Sequence, residues 1–249
     1  LSDLRHIFIG WDAREQEAYE VCKSSILRHS SVPVEIIPIK ESLLRRVGLY
    51  DRHWYINGDG QWVDSIDLRP FSTEFSFTRF FTPLLASLIG THRWVLFCDC
   101  DFVFQSDVAE LFRVASDRYA VMCTKHQHVP LEKRKMDDRA QTKYRRKNWS
   151  SCVLWNRFHP ENRALTTEGI NREPGLWLHT FSWLQDSLIG DIPLDWNFLV
   201  GYSHYDKTRP PKALHYTLGT PNMPGLENTV FSNVWWNELA RLRGDNTGS

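Results

Sequence analysis

Arg93-Trp94-Val95-Leu96-Phe97-Cys98-Asp99-Cys100-Asp101-Phe102-Val103-Phe104 opens as an apolar run with the make-up of a buried strand and then stops on two carboxylates one residue apart. A buried strand has no use for ionised groups unless something satisfies them. Side chains at i and i+2 of an extended segment point the same way, so Asp99 and Asp101 can converge on one hard cation, with Cys98 and Cys100 alternating to the opposite face as small apolar groups. Mg²⁺ or Mn²⁺ held by one or two carboxylates keeps positions open for water and substrate phosphates, which is a catalytic arrangement. The plainer alternative is an acidic turn after a strand, with Asp101 capping a helix. For an isolated Asp-x-Asp that alternative carries most of the weight; placement at the mouth of so apolar a strand favours the cation.

Outward from this stretch, the pattern is that of an α/β chain. His6-Ile7-Phe8-Ile9-Gly10 reads as a first strand with Gly10-Trp11-Asp12 as its exit turn. Arg14 to Leu27 carries Ala18, Val21, Cys22, Ser25 and Ile26 at helical spacing, and Val34 to Ile39 is a second strand whose Pro33 and Pro38 suit an edge or an end. Strand, helix, strand predicts a parallel sheet with a right-handed crossover, and ligands in such sheets sit beyond the carboxyl ends of the strands. Trp11-Asp12 and Asp99-Asp101 would both lie there. No Gly-x-Gly-x-x-Gly follows the first strand, so a dinucleotide fingerprint is absent.

Leu49 to Pro70 is a long excursion with room for a hairpin, and Thr73 caps a helix running through Arg79 to Leu88, kinked or broken at Pro83. Arg79 is a cation on an apolar helix and needs a carboxylate or phosphate, so an ion pair and a ligand contact are equal readings. Val108 to Phe112 is a short helix and Tyr119 to Cys123 a strand. Glu132 to Lys147 is the most charged run, either a solvated face or a mobile cover that brings cations to an anionic ligand. Trp149 to Asn156 returns to an apolar strand, Pro160 to Thr167 and Phe181 to Leu188 read as helical, and Ile192 to Asn197 as extended. Lys212 to Tyr216 is a late strand ending at His215, and Val234 to Leu242 a closing helix.

The 249 residues suffice for one α/β domain, expected to span 1–249. A net charge of +0 gives no global field toward nucleic acid or membrane, so anion binding must be local. The 11 Trp offer flat faces to sugars and bases, although filling core is their commoner use. Five scattered cysteines argue against a disulfide framework and against a Cys-x-x-Cys zinc site, which fits a reducing, cytoplasmic setting. No apolar run is long enough for a transmembrane segment; the start at Leu1 rather than Met leaves room for a preceding segment. Asn148-Trp149-Ser150 is formally a glycosylation sequon, for which a chance match is the simpler account.

Taken together these stretches resemble the metal-dependent glycosyltransferases of the GT-A fold, nearest the family-eight, glycogenin-like type. Phe97-Cys98-Asp99-Cys100-Asp101 is the strongest match, to that family's metal strand. Ile9-Gly10-Trp11-Asp12 is similar to its nucleotide turn, Ser76-Phe77-Thr78-Arg79-Phe80 to its Ser/Tyr-x-Arg helix, Ser151-Cys152-Val153-Leu154-Trp155-Asn156 to its acceptor-side strand, and Leu214-His215-Tyr216-Thr217-Leu218-Gly219 to the strand bearing its third metal ligand. The resemblance implies a mixed, mostly parallel sheet flanked by helices, an Mn²⁺ or Mg²⁺ cofactor on Asp99, Asp101 and His215, a UDP-sugar donor and a carbohydrate acceptor. It implies donor contacts from Gly10, Trp11, Asp12, Arg14, Arg79, Cys100 and Gly219. Leu184-Gln185-Asp186 stands for a family Asp-Gln-Asp segment without its first acid, and the lysine of the diphosphate contact is not found around Pro221-Asn222. Donor sugar and stereochemical course are therefore not carried over. Asp186, Gln185 and Asp195 are the candidates at the reacting sugar.

Two other classes remain open on the residues. Asp99-Cys100-Asp101-Phe102-Val103 also fits the Asp-x-Asp-x-Val pattern of haloacid-dehalogenase-type phosphatases, with Asp99 as nucleophile and Asp101 as acid/base. That motif normally follows a domain's first strand and asks for a later acidic pair, of which Asp137-Asp138, within the basic run, is the only adjacent example. A non-catalytic nucleotide-sugar-binding module is the third.

Overall fold

The computed structural model describes residues 4–126, 146 and 148–244. The basic run from 132 to 147, read either as a solvated face or as a cover, and Asp137-Asp138 within it, lie outside the described residues except for Arg146. Strand β1 (Arg5–Trp11) passes through one 3-10 turn into helix α1 (Gln16–His29) and out to β2 (Val34–Lys40). The two strands pair in parallel from Arg5↔Val34 to Trp11↔Lys40, and the helical face read from the spacing, Ala18, Val21, Cys22, Ser25 and Ile26, is buried. After α2 (Glu41–Arg46) the excursion forms three short antiparallel strands, β3 (Trp54–Ile56), β4 (Trp62–Asp64) and β5 (Pro70–Phe71), one more than a hairpin. Buried Arg52 forks onto Asp64 at 2.8 and 2.7 Å, and ties this ribbon to the carbonyls of Ile170 and Glu173.

The helix expected from Thr73 to Leu88 is divided into α3 (Phe75–Thr78), a 3-10 turn over Arg79–Phe81, and α4 (Thr82–Leu88). The break falls just before Pro83, which sits in the first turn of α4, where a missing N–H costs no helical bond. α3 lies directly on the end of β1: a Cβ on Gly10 would stand 2.5 Å from the Phe75 ring, so only glycine permits that approach.

The remaining strands are β6 (Trp94–Cys98), β7 (Phe102–Phe104), β8 (Val121–Cys123), β9 (Cys152–Asn156), β10 (Ile189–Asp191), β11 (Phe198–Leu199) and β12 (Ala213–His215). The main sheet has the order β10-β8-β9-β6-β1-β2, with β9 antiparallel to both neighbours and the other pairs parallel. This is the mixed, mostly parallel sheet expected of the GT-A fold. A smaller sheet, β11-β12-β7, packs along α1, with Val21 clustered against Val103, Phe198 and Leu214 and Phe104 N–H donating to Ser25 Oγ at 2.9 Å. Helices α5 (Val108–Arg113), α6 (Thr167–Arg172), α7 (Gly175–His179) and α8 (Ser232–Arg243) complete the described elements.

Several segments differ from expectation, among them Trp149–Ser151, which winds into a 3-10 turn ahead of β9. Phe181 to Leu188 is not a helix: Phe181 takes φ 50° and only Asp186–Leu188 forms a 3-10 turn, because Phe181 and Trp183 are recruited to stack around Trp155. Ile192 to Asn197 is not extended throughout, since Leu194–Asn197 winds into a 3-10 turn. Pro160–Ala164 is a 3-10 turn, followed by α6 and α7, which the pattern did not announce. Trp155, Trp196 and Trp235 are fully buried, the core-filling use of the tryptophan surplus, and all five cysteines are buried and free. Among the described residues no helix is long and apolar enough to cross a membrane.

Candidate metal centre

β1 and β6 are adjacent and parallel, with Ile9 opposite Cys98, so Asp99 follows level with Gly10 and the first-strand turn at Asp12 comes two residues further on at the same edge. At Cys98 the strand ends. Residues 99–101 turn, with Asp99 N–H donating to Ser151 O at 2.8 Å, and the chain re-enters extended structure as β7 in the smaller sheet. There Phe102 pairs with His215 of antiparallel β12, and Tyr216 N–H donates to Asp101 O at 2.9 Å. Two strands distant in sequence thereby carry the imidazole to the acidic turn. Ligand atoms of Asp99, Asp101 and His215 all lie within 4.8 Å of one another, and His215 Nε2 is 3.4 Å from Asp101 Oδ1. Cys100 between the aspartates is turned inward and buried, its Sγ donating to Glu15 Oε2 at 3.1 Å. Burial pushes its thiol well above the usual range, and Glu15 adds to that.

Arg79 Nη1 stands 2.8 Å from Asp99 Oδ1, and the guanidinium also donates to Phe75 O and Ser150 O at 3.2 and 3.1 Å. The ion-pair reading of Arg79 holds, and its partner is the first carboxylate of the cluster. Burial pushes the Asp99 carboxyl up to about 6; Arg79 pulls against that shift and Asp101 adds to it. Two carboxylates and an imidazole, with the neighbouring thiols facing away, form a donor set that fits a divalent cation of the Mg²⁺/Mn²⁺ class.

His215 is buried, its ring stacked on Phe102 at 4.3 Å and 19°, and its Nδ1 lies 2.9 Å from Asn197 Oδ1. Asn197, fully buried, was not singled out from the sequence. The only signal was an amide following a buried aromatic in Asp195-Trp196-Asn197.

The first-strand turn has a different character. Asp12 is fully buried and accepts four hydrogen bonds: Arg14 N–H and Nε at 2.9 Å each, Arg14 Nη2 at 2.5 Å, and Glu74 N–H at 3.0 Å. The Arg14 guanidinium lies 3.9 Å over the Trp62 ring and donates to Ser72 O at 2.7 Å. Trp11 Nε1 donates to Gln16 Oε1 at 2.8 Å, with Lys40 Nζ over its ring at 4.4 Å. Gly219, at φ 133°, closes a turn onto Tyr216 O.

Gln185 and Asp186 are exposed, and Arg146 bonds both Thr180 O and Asp186 Oδ1. His179, at the end of α7, reaches the Arg79 corner through Ser150, whose Oγ lies 2.8 Å from His179 Nδ1 and whose carbonyl accepts from Arg79. The carbonyl of Asp195 accepts from Lys212 N–H at 2.7 Å, while its Oδ1 is buried without a hydrogen-bond partner among the described residues. A hollow of about 460 Å³, lined by Lys125 and Asp191 through Leu194, opens past the ends of β8 and β10.

The sheet order and its one reversed strand, with the acidic turn that follows β6, match the GT-A glycosyltransferase fold. Glycosyltransferase GlyE of Streptococcus pneumoniae TIGR4 superposes with a TM-score of 0.61 at 17% identity, over 95% of this chain. This chain spans 60% of the length of that structure. Galactosyltransferase LgtC, solved with donor and acceptor sugar analogs, superposes with a TM-score of 0.54 at 10% identity, over 96% of this chain and 99% of its own. The chain belongs to the family of Protein CDI of Arabidopsis thaliana, to which it is 45% identical over 243 residues, 96% of this chain and 88% of that protein. No family model matches the chain.

Proposed function

We propose that this chain is a single metal-dependent catalytic domain of the family-eight, glycogenin-like type. It moves a sugar from a nucleotide-diphosphate donor, a UDP-sugar on that resemblance, to a carbohydrate or other hydroxyl acceptor. The observation that carries the reading is the convergence of Asp99, Asp101 and His215 within 4.8 Å beyond the parallel strands, beside the first-strand turn. When bound, Mn²⁺ or Mg²⁺ supplies Lewis-acid stabilisation of a leaving diphosphate. Asp99, Asp101 and His215 hold it, and Arg79, already on Asp99, adds a guanidinium where diphosphate charge develops. Trp11 and Arg14 meet the base and ribose. Asp12, with its acceptors engaged by protein, holds Arg14 in place. Asp186 with Gln185 faces the reacting sugar, and Asp195 is the second candidate. The hollow at Lys125 and Asp191 through Leu194 suits an acceptor.

The test is a nucleotide-sugar panel scored by thermal shift with Mn²⁺ or with EDTA, followed by transfer and hydrolysis assays. UDP-sugars should raise the melting temperature only with metal, and p-nitrophenyl phosphate should not turn over. Phosphatase turnover without nucleotide-sugar stabilisation would overturn the reading, and stabilisation without transfer or hydrolysis would make the chain a binding module. Within the enzyme reading, Asp186→Asn should lower kcat by about 10²–10⁴-fold and Asp195→Asn by less. The reverse order moves the role to Asp195, and NMR of the product's anomeric configuration gives the stereochemical course.

A further inference from the structure

We infer that Asn197 is a positioning residue that holds His215 in the Nδ1-protonated tautomer, leaving Nε2 bare on the side of the two aspartates. The role assigned to that bare nitrogen rests on the reading of His215 as a metal ligand. The tautomer itself follows from a chain of three hydrogen bonds whose direction is fixed from one end. Asn148 O is a carbonyl and can only accept, so Ser151 Oγ, 2.8 Å away, donates its one hydrogen there. Ser151 Oγ is then an acceptor toward Asn197, and the group 3.0 Å from it is the amide Nδ2. With Nδ2 committed to Ser151, the amide presents Oδ1 to His215 Nδ1 at 2.9 Å, and an amide oxygen takes a proton and cannot give one. His215 Nδ1 therefore carries the hydrogen.

Turning the Asn197 amide over would bring its oxygen against a hydroxyl oxygen whose hydrogen is already given away. Asn197 and Ser151 are both buried, so water does not relieve that contact. Stacking on Phe102 fixes the plane of the ring, and the bond from Val200 N–H to His215 O, 2.9 Å, fixes its backbone. The amide decides which nitrogen is protonated, and the stacked ring decides where the bare one points: toward Asp101 Oδ1, 3.4 Å away, so that both offer lone pairs to a common point. Orienting a ligating imidazole through its other nitrogen commonly governs metal affinity by about 10–100-fold.

Long-range ¹H–¹⁵N spectra of the metal-free protein, with His215 assigned through His215→Gln and recorded well above the imidazole range, read the tautomer directly. A protonated Nδ1 and bare Nε2 are expected; a protonated Nε2 overturns the inference. Ser151→Ala removes the group that orients the amide, so the Nε2-protonated form should become populated and Mn²⁺ affinity should fall about 10–100-fold. Asn197→Asp keeps an acceptor on Nδ1 and should keep the wild-type tautomer, a rescue that a purely space-filling role does not give. Wild-type tautomer and wild-type Mn²⁺ affinity in Ser151→Ala would overturn the relay. A wild-type protein with the expected tautomer that binds no Mn²⁺ supports the relay and removes the metal reading.

Discussion

Asp12 and Asp99 follow neighbouring parallel strands, both are buried, and the protein treats their charges in opposite ways. Burial alone would raise the carboxyl of Asp12, yet hydrogen bonds from the Arg14 side chain and from the Arg14 and Glu74 amides hold it below its usual value. Asp99 has Arg79 on one oxygen, and burial together with Asp101 still pushes it up to about 6. One aspartate is finished by its own protein; the other is not. A buried anion with every acceptor position engaged by protein donors is architecture, whereas one destabilised beside a second carboxylate and an imidazole is a place where a cation could be held.

The largest test of that contrast is Asp99→Asn or Asp101→Asn, which should lower metal-dependent transfer by on the order of 10²–10³-fold and abolish Mn²⁺-dependent UDP binding, with circular dichroism unchanged. Full activity in both variants, or in EDTA, would break the comparison. Next is Arg79→Met. It leaves Asp99 buried without its guanidinium and should cost about 3–5 kcal/mol in denaturant unfolding of the metal-free protein at neutral pH. The loss should shrink below about pH 6, where Asp99 takes up a proton, and Mn²⁺ should recover part of it. A pH-independent loss would show that Arg79 acts by packing alone.

The smallest effect is the most diagnostic. Asp12→Asn should destabilise by about 1–3 kcal/mol at neutral pH by weakening charge-assisted hydrogen bonds, with or without metal. The two aspartates also have opposite pH signatures. Asp12, with its folded pKa lowered, contributes stability that is present above 3.8 and lost as pH falls through its folded value. Asp99, with its folded pKa raised, favours the metal-free fold most below 3.8 and withdraws that contribution as pH rises through about 6. Asp99→Asn should therefore flatten the melting temperature between those values, and Asp12→Asn should not. Identical profiles would erase the distinction.

The parts of this molecule legible in its sequence are those where a local pattern had no local explanation. An apolar strand ending on Asp99 and Asp101 is such a place, and so is a late apolar strand ending on His215. The opening strand, helix and strand were legible because one helical face and two apolar runs bury together. Between Pro160 and Leu199 the reading failed, because there the elements are one or two turns long and take their stability from tertiary partners. Phe181, Trp183 and Trp155 pack on one another, so the aromatic spacing that resembles a helix reports a cluster of rings instead. A local signal for α6 did exist, since Thr166 caps it by accepting from Gly169 N–H at 3.0 Å. For Asn197 the local pattern held no more than an amide after an aromatic, which does not mark a role. Its importance lies in what stands on either side of it in space, Ser151 and His215, and neither is near it in sequence.

The pairing of β7 with β12 has a consequence for how the protein is made. Asp99 and Asp101 emerge from the ribosome long before His215, and β1, β2 and β6 pair with one another with no strand pairing to β12. The acidic pair therefore waits, incomplete, until β12 arrives and zips antiparallel onto β7, a contact of long sequence separation and so a late one in folding. A nascent chain cut short before Ala213 would carry the two carboxylates and lack the imidazole. A cation held by all three donors would need β12 in register on β7, so any metal affinity of the cluster would report that pairing.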